Sequence, residues 1–308
     1  MKKSLLSAGS VLALLILLLF PDLALDGARN GLRLWAWVVV PTLFPFMVCS
    51  SILVALDAVH ILIFPVKCLC RRLFKLSDNG TYILVTGLLC SCPMGAASLS
   101  QFLEDRRISK AEGQYLLSIC NHPSPMFLAG FAGACLPPQV PVWLFLCSVY
   151  GSILPLSVLS RRFYTPKAKA SPLQPSKAAA SLDRILLRST ETILKIGGYI
   201  TLFSIAVAFL MAMPAGSPQT KAMMLAFVEI TTGIQAVSQE IPGTACGFFL
   251  SMASAFGGLC AVFQTKSVIK NAGLSIRHYV IWKAIHSLLS GGVFILLAYC
   301  LAPHLAPG

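Results

Sequence analysis

Between Gly80 and Leu136 the chain carries two apolar segments that each break in the middle. One breaks at Cys92-Pro93-Met94-Gly95-Ala96-Ala97, the other at Asn121-His122-Pro123-Ser124-Pro125. A proline inside a lipid-embedded helix removes a backbone donor and strains the preceding turn, so the freed N–H and C=O groups must find protein, water or a solute. Two such breaks in neighbouring segments predict a site. That the segments lie in lipid follows from composition. Hydrophobic residues make up 56% of the 308 positions and charged residues 11%, whereas a soluble domain carries roughly 25% charged residues. Several runs also reach the roughly 20 apolar residues that cross a bilayer. The predicted class is an all-α polytopic membrane protein with about seven to nine membrane segments, some of them broken or re-entrant.

The net charge of +13 sits in short loops, not on a face that also carries stacking aromatics, so it reads as control of topology and argues against nucleic acid. The 11 cysteines form no CxxC. Cys68/Cys70 and Cys90/Cys92 are CxC pairs that point to different helix faces, which suits apolar packing better than metal or redox chemistry. No HExxH, phosphate-binding loop, GxSxG elbow or catalytic carboxylate pair occurs, so the sequence predicts neither an enzyme nor a bound cofactor or metal.

Read in order, residues 1–25 open with Lys2-Lys3 and the apolar run Leu5 to Phe20. A signal peptide and a retained first helix both fit, and the lack of a small-x-small exit favours the retained helix with its start in the cytoplasm. The first half, 26–160, begins with an amphipathic stretch from Asp26 to Trp37, expected at the membrane interface. A span from Val38 to Phe64, kinked by Pro41 and Pro45, leads to the basic loop Lys67 to Lys75. Gly80 to Leu103 is expected to be a re-entrant hairpin, because that keeps Arg106 and Arg107 on the same side as the earlier basic loop. Ser109 to Glu112 is a capping box that starts a new helix. Pro137-Pro138 then turns outside, and Val140 to Leu159 returns to Arg161-Arg162. Residues 161–180, basic and rich in Pro, Ser and Ala, predict a cytoplasmic linker. The second half, 181–308, has an amphipathic lead from Leu182 to Ile196 and apolar runs at Gly197 to Met213, Ala222 to Gln239, Ile241 to Phe263 and Tyr279 to Tyr299.

The halves share ordered motifs. Thr-Leu-Phe occurs at 42–44 and 201–203, Gly95 precedes Gln101 as Gly258 precedes Gln264, and Ile108-Ser109 matches Leu274-Ser275. A two-fold repeat is expected, and repeats of this kind are often inverted in transporters. Inversion carries a cost if the segments after Met213 pair as one hairpin, because Lys266, Lys270 and Arg277 would then lie outside.

Several residues are candidates for a substrate site. Pro93, Gly95, Ala96 and Ser98 permit close backbone approach at a half-helix start, where unpaired N–H groups suit an anion; small residues also simply pack helices. Asn121, His122 and Ser124 offer neutral donors and acceptors beside the second break. Glu229 is a carboxylate within an apolar run, a candidate for coupling or for a polar relay with Thr231 and Thr232, or else their structural partner. Gly258 and Gln264 complete the set from the second half.

Taken in order, Leu34-Trp35 through Pro41 to Phe46, Cys92 to Ala96, Ile108-Ser109 with Glu112, Cys120-Asn121 with Ser124-Pro125, Glu229 to Gly233, and Phe256 to Gly258 with Gln264 resemble the YlbJ-like sporulation integral membrane proteins. That family carries a nucleoside-recognition, or Gate, domain. The resemblance implies a fold similar to concentrative nucleoside transporters and a role in endospore formation. It also implies passage of a small anionic solute such as dipicolinate, at the cytoplasmic or outer forespore membrane of a spore-forming bacterium. Cys92 and His122 depart from the family pattern. The expected partners are a small solute and the bilayer, with homo-oligomers or sporulation membrane partners beside them. A nucleoside transporter and a non-transporting scaffold are the alternatives.

Overall fold

A computed structural model describes residues 2–56, 58–164, 181–214 and 216–305, and every regular element among them is helical. Of the linker expected over 161–180, residues 165–180 lie outside the described set. Helix α1 (Lys2–Leu19) meets α2 (Pro21–Leu34) at a bend of 99°. A π-helical turn, Trp35–Val39, joins α2 to α3 (Val40–Ala55) just ahead of Pro41, where the ladder loses a donor. The span expected from Val38 to Phe64 therefore stops at Ala55, and α4 (Val59–Ile63) and α5 (Lys67–Phe74) follow as short separate helices. The amphipathic stretch expected at the interface docks along a later helix instead, α11 (Leu182–Ala212). Gly27 and Gly31 lie directly against Ile205 and Thr201, and the Trp35 indole donates to the Ile193 carbonyl at 2.9 Å.

Helices α6 (Asp78–Cys90) and α7 (Met94–Glu104) form the predicted hairpin. Their antiparallel register is fixed by the stacked rings of Tyr82 and Phe102, 5.5 Å apart, and by the apposition of Gly87 and Gly95. Helix α8 (Lys110–Ile119) ends at the second break, and helical structure resumes through a π-helical stretch, Phe127–Ala132. A long apolar span follows as α9 (Val142–Gly151) and α10 (Ile153–Ser160).

After α11 the chain makes a second hairpin, α12 (Pro218–Val228) and α13 (Ile230–Glu240), turning at Glu229 and closed where Gly233 backs onto Ala226. The sequence reading takes Ala222 to Gln239 as one unbroken segment, paired in a hairpin with Ile241 to Phe263 or spanning by itself. Its composition is that of a span, and the turn shows only in the backbone, where Glu229 is extended (φ −144°, ψ 126°). Then come α14 (Gly243–Phe256), a break at Gly257-Gly258, α15 (Gly258–Val268) and finally α16 (Ile276–Leu305).

The order hairpin, interrupted helix, long apolar helix thus runs twice, over 78–160 and 218–305. The two runs enter from opposite ends. Hairpin one has both arms among basic groups: Asp78 pairs with Lys67 (2.5 Å) and Arg71 (3.0 Å), and Glu104 with Arg188 at the start of α11 (2.6 Å). Helix α11 has 31 residues, about 46 Å of helix, and its far end meets hairpin two, where Lys221 donates to the Met211 and Met213 carbonyls. The connection into α16 returns to the basic end, because Gln114 of α8 exchanges hydrogen bonds with Ser275 (2.8 and 3.3 Å). Lys266, Lys270 and Arg277 therefore sit with the other basic clusters, at the end the charge rule assigns to the cytoplasm. The expected cost of inversion disappears, because the hairpin lies wholly within 218–240 and α14–α15 crosses by itself. The matches of Gly95 with Gly258 and of Ser109 with Ser275 do not pair equivalent elements. In element order α7 corresponds to α13, and Gly95 to Gly233.

Four described helices are long and apolar enough to cross a membrane, or five with the bent N-terminal pair. The interrupted α14–α15 is one of the four, whereas the hairpin arms and the interrupted helix that begins with α8 are too short to count, against the seven to nine segments expected. Large side chains such as Leu202, Leu288 and Leu296 face outward in the open, as a lipid-facing surface requires. The protein is a multi-pass integral membrane protein.

Candidate functional site

The tips of both hairpins and both helix breaks meet in the middle of the bundle. On hairpin one the chain reverses through Ser91 (φ 73°) and a cis Cys92-Pro93 bond. The carbonyl of Cys120, left without a helical partner by the break, wedges between Gly87 and Gly95, and a Cβ on either glycine would overlap it. The small residues of this segment thus act in packing, seating the Asn121–Pro125 break against hairpin one. The Gly257-Gly258 break is seated the same way, with Gly257 (φ 87°) and Gly258 (φ 79°) in the left-handed region. Gly258 lies against the backbone of Val228, Glu229 and Ile230 at the tip of hairpin two. A side chain there would be strained and would also push the tip away.

These four interruptions enclose a cavity of about 580 Å³. Cys90 to Cys92, Asn121, Pro123 and Ser124 come from the first unit, and Glu229 to Thr231, Gly257, Cys260, Ala261 and Gln264 from the second. Tyr279 and Lys283 of α16 add polar groups, and Val38, Val39, Leu43, Phe46, Ile196 and Ile200 close the apolar side. The volume suits a small organic solute.

Asn121 joins three elements. Its Nδ2 donates to Thr265 Oγ1 (2.8 Å) and Tyr279 Oη (3.0 Å) and lies 3.2 Å from Cys92 Sγ. Thr265 spends its own proton on the Ala261 carbonyl (2.7 Å), so it must accept from Asn121, which sets the orientation of the amide. Asn121 Oδ1 is buried with no partner. Ser124 lines the cavity, and its Oγ accepts from the Phe127 N–H (3.3 Å) as the helix restarts. Glu229 also lines the cavity while capping α13, its two oxygens accepting from the Thr231 and Thr232 N–H groups (2.9 and 2.8 Å). Glu229 is thus the structural partner of the Thr231 and Thr232 backbone, a cap at a hairpin tip that also lines the cavity. Gln264 reaches the wall and donates to Cys260 Sγ (3.2 Å).

Not every candidate comes to the cavity. Pro93, Gly95, Ala96 and Ser98 are absent from its walls, because α7 runs back from the tip and buries its small residues between helices. Gly258 and Thr232 stand just behind the wall. His122 is fully buried and turned away, its Nε2 against the Ile119 carbonyl (2.9 Å) and its Nδ1 3.4 Å from Lys283 Nζ. An ammonium only donates, so Nδ1 accepts and Nε2 carries the proton.

The residues the sequence reading passed over are on α16. Tyr279, Lys283 and His286 recur at helical spacing on one face of an apolar span, and all three are buried. Lys283 Nζ donates to the Asn121 carbonyl (3.2 Å) as well as to His122. The His286 ring packs edge-on against His122, centroids 4.6 Å apart, with its nitrogens near the Ala255 and Val149 carbonyls. The available signal was a lysine inside a membrane segment, which is costly and marks function by default.

At the basic end the predicted capping box is half made. Ser109 Oγ accepts from the Glu112 N–H (3.2 Å), but the buried Glu112 carboxylate turns to the Ser77 N–H of hairpin one (2.9 Å) and ties α8 to it. Asp105 lies beside this rim, and burial raises its carboxyl above the ordinary range against the opposing pull of Arg188 and Arg107.

No family model matches the chain, and no solved structure matches it significantly. Among characterised proteins it is similar to the sporulation integral membrane protein YlbJ of Bacillus subtilis strain 168, with 22% identity over 320 aligned positions covering 91% of this chain and 78% of that protein. This similarity over nine-tenths of its length agrees with the resemblance to the YlbJ-like integral membrane proteins that the ordered motifs carry.

Proposed function

We propose that the protein is a secondary carrier for a small anionic solute of the dipicolinate class, acting in spore formation. The observation that carries this reading is the convergence of four backbone interruptions, two from each of two oppositely entering units, on one cavity at the centre of the bundle. Carriers built from inverted repeats bind at such a junction and expose it alternately by rocking one part against the other. The preference for an anion draws on Lys283, a buried cation on the cavity wall with no ion-pair partner among the described residues. The sporulation role draws on the name of the Bacillus subtilis relative. On this reading Asn121, Ser124, Thr231 and Gln264 contact the solute and Glu229 couples movement of hairpin two to it. The protein works without cofactor or covalent chemistry, and its partners are the solute and the bilayer.

The test is flux into proteoliposomes holding the purified protein, with and without a proton gradient and beside a nucleoside control. Saturable dipicolinate flux is expected. Flux of nucleoside alone would keep the carrier and overturn the solute. Flux of neither, from folded protein, would overturn the carrier and favour a membrane scaffold.

A further inference from the structure

We propose that Lys283 and Tyr279, one turn apart on α16, together seat a carboxylate group of the solute beside Asn121. The inference rests on the carrier reading above and assigns the recognition of the solute's carboxylate to named residues.

Lys283 is 1% exposed within an apolar span, where an ammonium is costly unless its surroundings compensate the charge. The protein gives it neutral partners only, the Asn121 carbonyl at 3.2 Å and His122 Nδ1 at 3.4 Å. An ammonium has three donors, so one N–H is left over and the charge is left unbalanced. Glu229, the carboxylate on the same cavity wall, is engaged by the N–H groups of Thr231 and Thr232 and forms no ion pair with Lys283. Tyr279 is in a similar position. Its hydroxyl oxygen accepts from Asn121 Nδ2 at 3.0 Å, Thr265 and Cys92 lie within its reach, and its proton can turn from them to a solute in the cavity. Both polar ends reach Asn121 and both side chains line the cavity, so an unused ammonium N–H and a phenol O–H able to turn are presented on one wall.

A carboxylate can use both donors, because its two oxygens accept one bond from each and its charge balances the lysine. Such charge-assisted bonds are the strong ones. The unpartnered Asn121 Oδ1 then remains to accept from a donor elsewhere on the solute or from a water held with it. His122, turned from the cavity, is a positioning residue that holds the ammonium in place through Nδ1.

The test measures binding of dipicolinate, picolinate and the uncharged dipicolinamide to the full chain in lipid nanodiscs by calorimetry. In the wild type, affinity is expected to fall in that order. Lys283→Gln, shown to be monodisperse, is expected to weaken both carboxylates by roughly ten-fold or more, the size of a lost charged hydrogen bond, and to leave dipicolinamide unchanged. Tyr279→Phe removes a single hydroxyl and is expected to give a smaller loss with the same selectivity; it decides the matter if Lys283→Gln does not fold. Lys283→Arg is expected to recover part of the carboxylate preference. Carboxylate binding that survives both substitutions would overturn the seat and leave the carrier standing. A wild type that binds no carboxylate would overturn the seat as well, and nucleoside flux would then show whether the carrier reading survives.

Discussion

Replacing Asn121 with alanine isolates the junction on which the site depends. The amide makes two neutral hydrogen bonds, to Thr265 at 2.8 Å and to Tyr279 at 3.0 Å, and a sulfur contact to Cys92 at 3.2 Å. Its oxygen makes none, so losing it costs no bond. The groups left behind are hydroxyls that can turn to other partners, and Thr265 keeps its bond to Ala261. The cost is therefore that of two ordinary buried bonds, about 2 kcal/mol. That corresponds to a melting point lower by about 4 °C for a chain of this size. Hairpin one, α15 and α16 lose their common link, so the ratio of molecules with the cavity assembled to those without falls by a factor of about 30. Melting of the detergent-purified protein, followed by fluorescence-detected gel filtration, reads the first figure, and initial dipicolinate flux reads the second. Unchanged melting and unchanged flux would refute the assignment of Asn121 to this junction.

Other perturbations reach different parts of the account. Gly87→Ala and Gly95→Ala each push a methyl group into the Cys120 carbonyl and are expected to destabilise by about 1–3 kcal/mol, read as lower melting with flux lost. Glu229→Gln keeps one acceptor for the α13 N-terminus and loses the charge, so membrane levels should hold while the gradient dependence of flux disappears. Cysteines at the exposed positions Asn271 and Gln219 should be labelled from opposite faces, Asn271→Cys from the cytoplasm and Gln219→Cys from outside; labelling from one face would contradict the inverted arrangement. Deletion of residues 165–178 should leave flux intact if the protein is a carrier, and loss of sporulation with normal flux would point to a scaffold.

Which parts of this arrangement were legible in the sequence follows from what each signal encodes. Pro93 and the Asn121 to Pro125 run announce themselves because proline changes backbone hydrogen bonding wherever it stands. Charge told how hairpin one must turn, because Arg106 and Arg107 had to share a side with Lys67 to Lys75. The tip of hairpin two carries no proline, and Glu229 inside an apolar run reads the same in a span as at a turn. Only its extended backbone and the contact of Gly233 with Ala226 separate the two. Gly95 shows a related limit, since a glycine permits close approach without saying whether helix or solute approaches. Here it is the Cys120 carbonyl. Lys283 was visible as a lysine within an apolar run, yet its weight emerges only with the neighbours that other segments bring to it, Asn121 and His122.

The most direct test of the central claim is a cryo-electron-microscopy map of the full chain in nanodiscs with dipicolinate. Solute density in the cavity between Asn121, Lys283 and Gln264, touching both units, is the expected result. Density bound outside that cavity, with the cavity vacant, would contradict the account.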